Sequence, residues 1–197
     1  MQADTKNFDP AKVAYFERAG WQAYYQRQWG RAFRLMVQLN RAEFRMPLLT
    51  AIAAALDIVR ASIAFAPLDG NDVPKAREYV RRYYAKARRT VGIAADADTL
   101  ADLEMDYWVV HRKLALERKV NRSIQNTEPM VESFNRLHAA LFKAQPSAVR
   151  RSAELRAEAA VAVDRITGGY SQDVDQDWRE VEEKLRAAYG ALGGPRV

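Results

Sequence analysis

Proton-transfer chemistry needs a base that titrates near neutral pH and a carboxylate to orient it. This sequence offers two histidines for the role. His111 stands in EMDYWVVHRKL, where helical spacing sets Glu104, Trp108 and His111 along one flank. The grouping admits a general base served by Glu104, or a boundary histidine with an ordinary hydrogen-bond partner. His138, in FNRLHAALF, lies beside an apolar stripe and reads as a core histidine or as part of a pocket wall. Asp57 stands in LTAIAAALDIVRASIAFA, almost alone among apolar neighbours. A carboxylate so placed must be paired or protonated. Arg60, one turn on, is the nearest candidate partner, and an arginine of the first helix is another. Such a pair either fixes helix register or leaves Asp57 as an acid of displaced pKa. Asp57, His111 and Glu104 are therefore the catalytic candidates. Trp21, Tyr25, Arg60, Tyr107, Trp108 and His138 are the candidates for a ligand pocket around them.

Metal and phosphate chemistry is poorly supported. A carboxylate di-metal bundle carries Glu-x-x-His on two helices, but Trp108 and Asn135 occupy the positions three before His111 and His138. Glu17 and Glu43 supply carboxylates without that motif. Asp98, Asp102 and Asp106 share one side of a helix, and Asp173 and Asp177 repeat the spacing. Paired helices of this kind can hold Mg²⁺ for a diphosphate. Both clusters fall in or near first turns, where acids answer the helix dipole anyway. Asp173-x-Asp175-x-Asp177 fails as a calcium loop, with Trp178 for the glycine and Lys184 for the last glutamate. Phosphate loops, nucleophile elbows and dinucleotide fingerprints are absent. The sequence implies no metal and no cofactor. The helix-only pattern resembles ferritin-like and haem-oxygenase-like bundles in outline, without the motif residues of either.

One segment is strongly basic: Lys75, Arg77, Arg81, Arg82, Lys86, Arg88 and Arg89, interleaved with Tyr79 and Tyr84. Arginine beside aromatics can bind phosphates and stack on bases. The stripe Val73, Ala76, Val80, Tyr83, Ala87 is intact, however, so these charges occupy the wet side of an ordinary amphipathic helix. Nucleic acid is disfavoured, and Arg77, Arg81, Arg82, Arg88 and Arg89 stand as anion-binding candidates.

The elements that must position these groups are all helical. Apolar stripes at 3.6-residue spacing recur from Asp9 to about Leu192, separated by N-caps, prolines and glycines, with no strand pattern between them. The reading is an all-α, single-domain bundle of six to seven helices over residues 1–197, with 1–8 and 193–197 disordered. The first helix starts at Asp9-Pro10 and runs to about Phe44, roughly 50 Å long. It is apolar on several faces, so it is expected to be sandwiched between neighbours or subunits. The second, Pro47 to about Phe65, is apolar nearly all round and is expected at the centre of the bundle. It carries Thr50, Asp57, Arg60 and Ser62, which argues for a buried helix over a membrane span. Further helices are expected from about Pro74 to Gly92, from Asp96 or Asp98, from Asn126, over 147–168, and over 174–192. Glu117 to Asn126 reads as a loop or frayed end.

The net charge of +6 is uneven: residues 1–91 hold 16 Lys/Arg against 8 Asp/Glu, and residues 92–197 hold 15 against 17. Either an anionic partner meets the first half, or the halves intermix and neutralise each other. There is no cysteine, which excludes disulfides, thiol nucleophiles and thiolate metal sites. With no apolar run in MQADTKNFDP, a cytoplasmic location is expected. No spacing identifies a reaction, so the sequence leaves open whether this is an enzyme. The leading expectation is a helical binding or assembly protein, a homo-oligomer or one with a protein partner. A small-molecule enzyme or carrier with an internal pocket near Asp57 and His111 is the alternative. An anion binder through residues 75–89 is the third.

Overall fold

The computed structural model describes residues 7–124 and 126–192. Among them are eight helices and no strand: α1 (Pro10–Tyr25), α2 (Trp29–Phe44), α3 (Leu48–Phe65), α4 (Val73–Thr90), α5 (Ala97–Val120), α6 (Glu128–Phe142), α7 (Pro146–Thr167) and α8 (Val174–Ala191). The starts follow from local chemistry. Asp9, Asp72, Asp96 and Asp173 each accept a hydrogen bond from a first-turn backbone N–H of α1, α4, α5 and α8. Proline stands in the first turn of α1, α4, α6 and α7.

The extra helix arises because the expected first helix is two. It breaks at Gln26–Gln28, with Arg27 in the left-handed region at φ 59°. The Gln28 N–H reaches back to the Ala23 carbonyl at 2.8 Å, closing a Schellman-type cap around Arg27. Neither Gly20 nor Gly30 is the hinge. A Cβ at Gly20 would lie 3.9 Å from the Leu35 Cβ, an ordinary contact, so the α1–α2 packing does not depend on glycine there. The aromatic residues spread around one long cylinder thus become two facing stripes on an antiparallel hairpin. A second correction concerns α5, which continues through Glu117 to Val120. Arg118, 3% exposed, donates to Asp164 and to the Asn126 carbonyl and so holds this last turn down.

Each helix packs on its chain neighbours, α8 packs back on α1, and α5 also touches α7. The result is a closed ring of up-and-down helices. Cross-pairs set the register, as in Lys184 with Glu158 and Arg165 with Asp177 between α7 and α8. Eight helices spaced about 10 Å apart on a circle would lie about 13 Å from its centre, farther than most side chains reach. No helix fills that centre. In particular α3, expected there, is a ring member, because a central position needs a surrounding layer this topology does not supply. Its outer side is open to solvent, with Leu49 81% and Leu56 40% exposed. By length and composition α3 is the one described helix able to cross a membrane, and 33% of that span is buried in the protein.

The two ends of the ring differ. At the end holding the α2–α3, α4–α5 and α6–α7 connections, Phe8, Phe44, Met46, Val91, Ile93, Phe142 and Leu192 are all buried. Phe8 was expected in a disordered end; it packs instead on Phe142 and Tyr189 at 6.2 and 5.5 Å between ring centroids. An apolar ring that size has large solvent exposure to lose by plugging the hole. The rest of the predicted disordered ends, 1–6 and 193–197, lies outside the described residues. At the opposite end Tyr24, Tyr25, Trp29, Leu68 and Leu116 remain exposed.

Candidate functional site

All eight helices wall a cavity of about 1340 Å³. Small-molecule pockets run to roughly 300–1,000 Å³, and dense protein interiors carry few voids larger than a water. The cavity is therefore a feature of the ring rather than a packing flaw. Its wall is drawn from helical stripes: Glu17, Trp21, Tyr24 and Tyr25 on α1; Trp29, Phe33, Met36, Leu39 and Glu43 on α2; Glu104, Tyr107, Trp108, His111 and Arg112 on α5; Arg156, Ala160, Val163 and Asp164 on α7. The lining carries two polar clusters, one around Arg156 and one around His111 and Asp164, separated by aromatic and aliphatic wall.

The polar floor is built around Arg156, which lies over the rings of Phe134 and Tyr189. It donates twice to Glu17, at 2.6 and 3.0 Å, and Glu17 also accepts from the Tyr189 hydroxyl at 2.7 Å. Three donors occupy most of the roughly four acceptor sites of this carboxylate. Burial alone would lower the Arg156 pKa, but the Glu17 and Tyr189 charges outweigh it and hold the guanidinium well above its usual value. Glu104 accepts from the Tyr84 hydroxyl at 2.9 Å and from the Trp108 indole N–H at 2.8 Å. Burial raises its pKa despite those bonds.

Glu43 differs from both. Among the described residues nothing hydrogen-bonds to its carboxyl, which faces the cavity. Burial pushes it up to about 8; the Glu17 charge adds, Arg156 opposes and Glu104 adds. His138, 4% exposed, is likewise unpartnered, and its Nδ1 is sealed from solvent. Burial, and then the Arg156 charge, push this imidazole well below its ordinary value and keep it neutral.

Nearer the open end, the His111 Nε2 meets Asp164 Oδ1 at 2.9 Å, while Arg118 donates to Oδ2 at 2.8 Å. The imidazole stacks on Tyr107 at 5.6 Å with planes 5° apart. The carboxylate that orients His111 thus comes from α7, and Glu104 serves Trp108 instead. Arg112 covers the Phe65 ring at 3.6 Å and donates to the carbonyls of Phe65 and Pro67, tying the end of α3 to α5 beside the entrance.

Of the residues singled out from sequence, Trp21, Tyr25, Glu104, Tyr107, Trp108, His111 and His138 all line this cavity. Asp57 and Arg60 do not. Asp57 is 4% exposed between α3 and α4, where Lys86 of α4 bonds it. Arg60 is exposed and is not its partner, because the buried carboxylate is taken by Lys86 across the α3–α4 contact. On α4, Arg77 bonds Asp98 and Asp102, and Arg81 and Arg82 bond Glu78. Arg88 and Arg89 follow on the same helix, Arg89 exposed. Asp106 pairs with Arg136, so Asp98, Asp102 and Asp106 serve as inter-helix ion pairs. Among the described residues no group of three or more His, Cys, Asp or Glu is arranged to hold a metal.

Sequence reasoning passed over Arg156, Asp164, Tyr83, Tyr84 and Tyr189, and took Glu17 and Glu43 only as stray carboxylates. One signal was present. Glu17, Glu43 and Arg156 sit where the helical period calls for an apolar residue: Glu17 one turn before Trp21, Glu43 one turn after Leu39, Arg156 one turn before Ala160. No protein family, no curated protein and no solved structure matches this chain.

Proposed function

We propose that the protein binds a small molecule inside the helical ring, one with an apolar body and a polar head. The observation that carries this reading is the cavity of about 1340 Å³, with an aromatic wall, a polar floor and one open end. A space that size has a large unmet demand for contacts. The tryptophans Trp21, Trp29 and Trp108 on its wall report occupancy. The test is intrinsic fluorescence and calorimetric titration with 4-phenylbutan-1-ol, an uncharged apolar probe, on the protein and on Ala115→Trp. Ala115 lines the upper wall, so the larger side chain is expected to weaken binding about tenfold or more, with the denaturation curve unchanged or shifted to higher denaturant. Equal binding by both proteins, or none by either, would refute the reading.

A second reading, self-association, is favoured by one observation. Leu49, Ile52, Leu56, Val59 and Ile63 recur at alternating three- and four-residue intervals along α3. Of these, Leu49 and Leu56 are 81% and 40% exposed, whereas Val59 and Ile63 also border the cavity. Sedimentation of the wild type and of Leu56→Glu tests it: a concentration-dependent dimer lost in the variant supports it, and a monomer throughout removes it.

A further inference from the structure

The cavity floor carries an unbalanced set of charges. Glu17, Glu43 and Glu104 face it, and Arg156 is the one guanidinium among them. Glu17 spends its acceptors on Arg156 and Tyr189, and Glu104 spends its own on Tyr84 and Trp108. Among the described residues, Glu43 keeps both carboxyl oxygens free of hydrogen bonds. Tyr83, Tyr84 and Tyr189 are its electrostatic neighbours, and the Tyr83 ring lies against Phe44 at 6.1 Å and against Tyr84 at 5.1 Å. No lysine lines the floor. Lys119 and Arg112 stand at the other end, beside the entrance. An anion entering would meet carboxyls without a free cation; a purely apolar ligand would strand Glu43 and His138 without partners. A compact cation meets an unused acceptor and ring faces that attract positive charge.

We propose that the bound molecule is an organic amine, its ammonium group seated on Glu43 among the tyrosine rings and its apolar body lying along the wall toward Trp21 and Trp108. The inference rests on the cavity reading above and names the ligand class of that same site.

The proton balance follows from the empty floor. Held in its neutral form at pH 7, the Glu43 carboxyl cannot serve as counter-ion until its proton leaves. An alkylammonium, with a pKa of about 10, arrives charged. Its seating ionises Glu43, and the displaced proton goes to bulk water: ammonium plus carboxylic acid gives the ammonium–carboxylate pair plus one H⁺. The other groups facing Glu43 do not take that proton. Glu17 is locked to Arg156, Glu104 accepts from Tyr84 and Trp108, and the phenols of Tyr83, Tyr84 and Tyr189 are already protonated, held well above their usual range mainly by burial. His138 is the one uncharged base on the floor, and the adjacent Arg156 charge opposes its protonation.

The experiment compares 4-phenylbutylamine with 4-phenylbutan-1-ol and 4-phenylbutyrate, three probes of one length and three charges. Calorimetric titration at pH 7, in two buffers of different ionisation enthalpy, reads affinity and proton release together. The amine is expected to bind about tenfold or more tighter than the alcohol, as a charged hydrogen bond gained at the half-buried Glu43 carboxyl should give. The butyrate should bind weakest. Proton release should be close to one per amine at pH 7 and fall toward none by about pH 9, where Glu43 is already ionised. In Glu43→Gln the amine should drop to the affinity of the alcohol and release no proton, while alcohol binding is kept, which shows the variant folded. Equal binding of the three probes, a preference for the butyrate, or an unchanged amine affinity in Glu43→Gln would overturn this inference and leave the cavity reading standing. Failure of every probe, the alcohol included, would overturn both.

Discussion

Two buried aspartates show how a carboxylate's cost depends on its partner. Asp164 and Asp57 are each 4% exposed. Asp164 faces Arg118, itself 3% exposed, whereas the Lys86 side chain opposite Asp57 is 26% exposed and also donates to the Arg82 carbonyl. Asp164→Asn strands a guanidinium that water cannot reach, and a loss of about 3–5 kcal/mol is expected in urea denaturation. Asp57→Asn leaves an ammonium that can turn to solvent, so a smaller loss of about 1–3 kcal/mol is expected. A larger loss at Asp57 than at Asp164 would contradict this account. Glu43 works in the opposite sense. Its folded pKa of about 8 lies above the ordinary 4.5. Between those values the folded chain keeps a proton the unfolded chain has lost, so stability falls as pH rises. The slope reaches about 1.4 kcal/mol per pH unit, and below the unfolded pKa the penalty is absent. Glu43→Gln should therefore gain stability relative to wild type on going from pH 5 to pH 8. A difference that does not change with pH would show that Glu43 is ionised throughout.

At the scale of elements, the hairpin of α1 and α2 turns on a residue without obvious turn chemistry. Arg27 adopts a conformation that glycine takes freely and other residues reach at a cost. Arg27→Gly is expected to stabilise the fold by about 0.5–1 kcal/mol in chemical denaturation; a loss would show that the arginine side chain contributes more than its backbone costs. The same turn marks the limit of what periodicity reveals. The stripes of α4 and α8 are legible because each has one apolar face and one neighbouring layer. In residues 10–44 the stripes run on several faces, and a straight rod and a folded hairpin share that pattern. Nothing in YYQRQW distinguishes them, because Gln28 caps Ala23 through backbone alone. Asp57 misled for a related reason. Its burial was legible from its neighbours along α3, but its partner came from α4, and that depends on how two helices rotate against each other.

For the molecule as a whole, the helix-only class follows from local spacing, whereas the hole does not. An inner wall and an outer core look alike in a sequence, since both are read as apolar stripes. Trp21, Tyr25, Tyr107 and Trp108 were recognisable as a group, yet only ring closure turns them toward a common space. The charge imbalance between the two halves is partly resolved by the same closure. Arg18 of α1 pairs with Glu182 of α8 at 2.5 Å, and Arg77 of α4 pairs with Asp98 and Asp102 of α5.

That meeting of α1 with α8 also determines when the cavity exists. Every other side of the ring joins helices that are consecutive in the chain, so those hairpins can assemble from nearby segments, early and independently. The α1–α8 contact joins positions as distant as Glu17 and Tyr189, and it is the single costliest loop closure of the fold. Until it forms, there is an open arc and no interior. A molecule held within, against Trp21 of α1 and Tyr189 of α8, then acts as a latch on both segments. Its binding energy adds to the closed form alone, and it is the fraying apart of the first and last helices that it restrains.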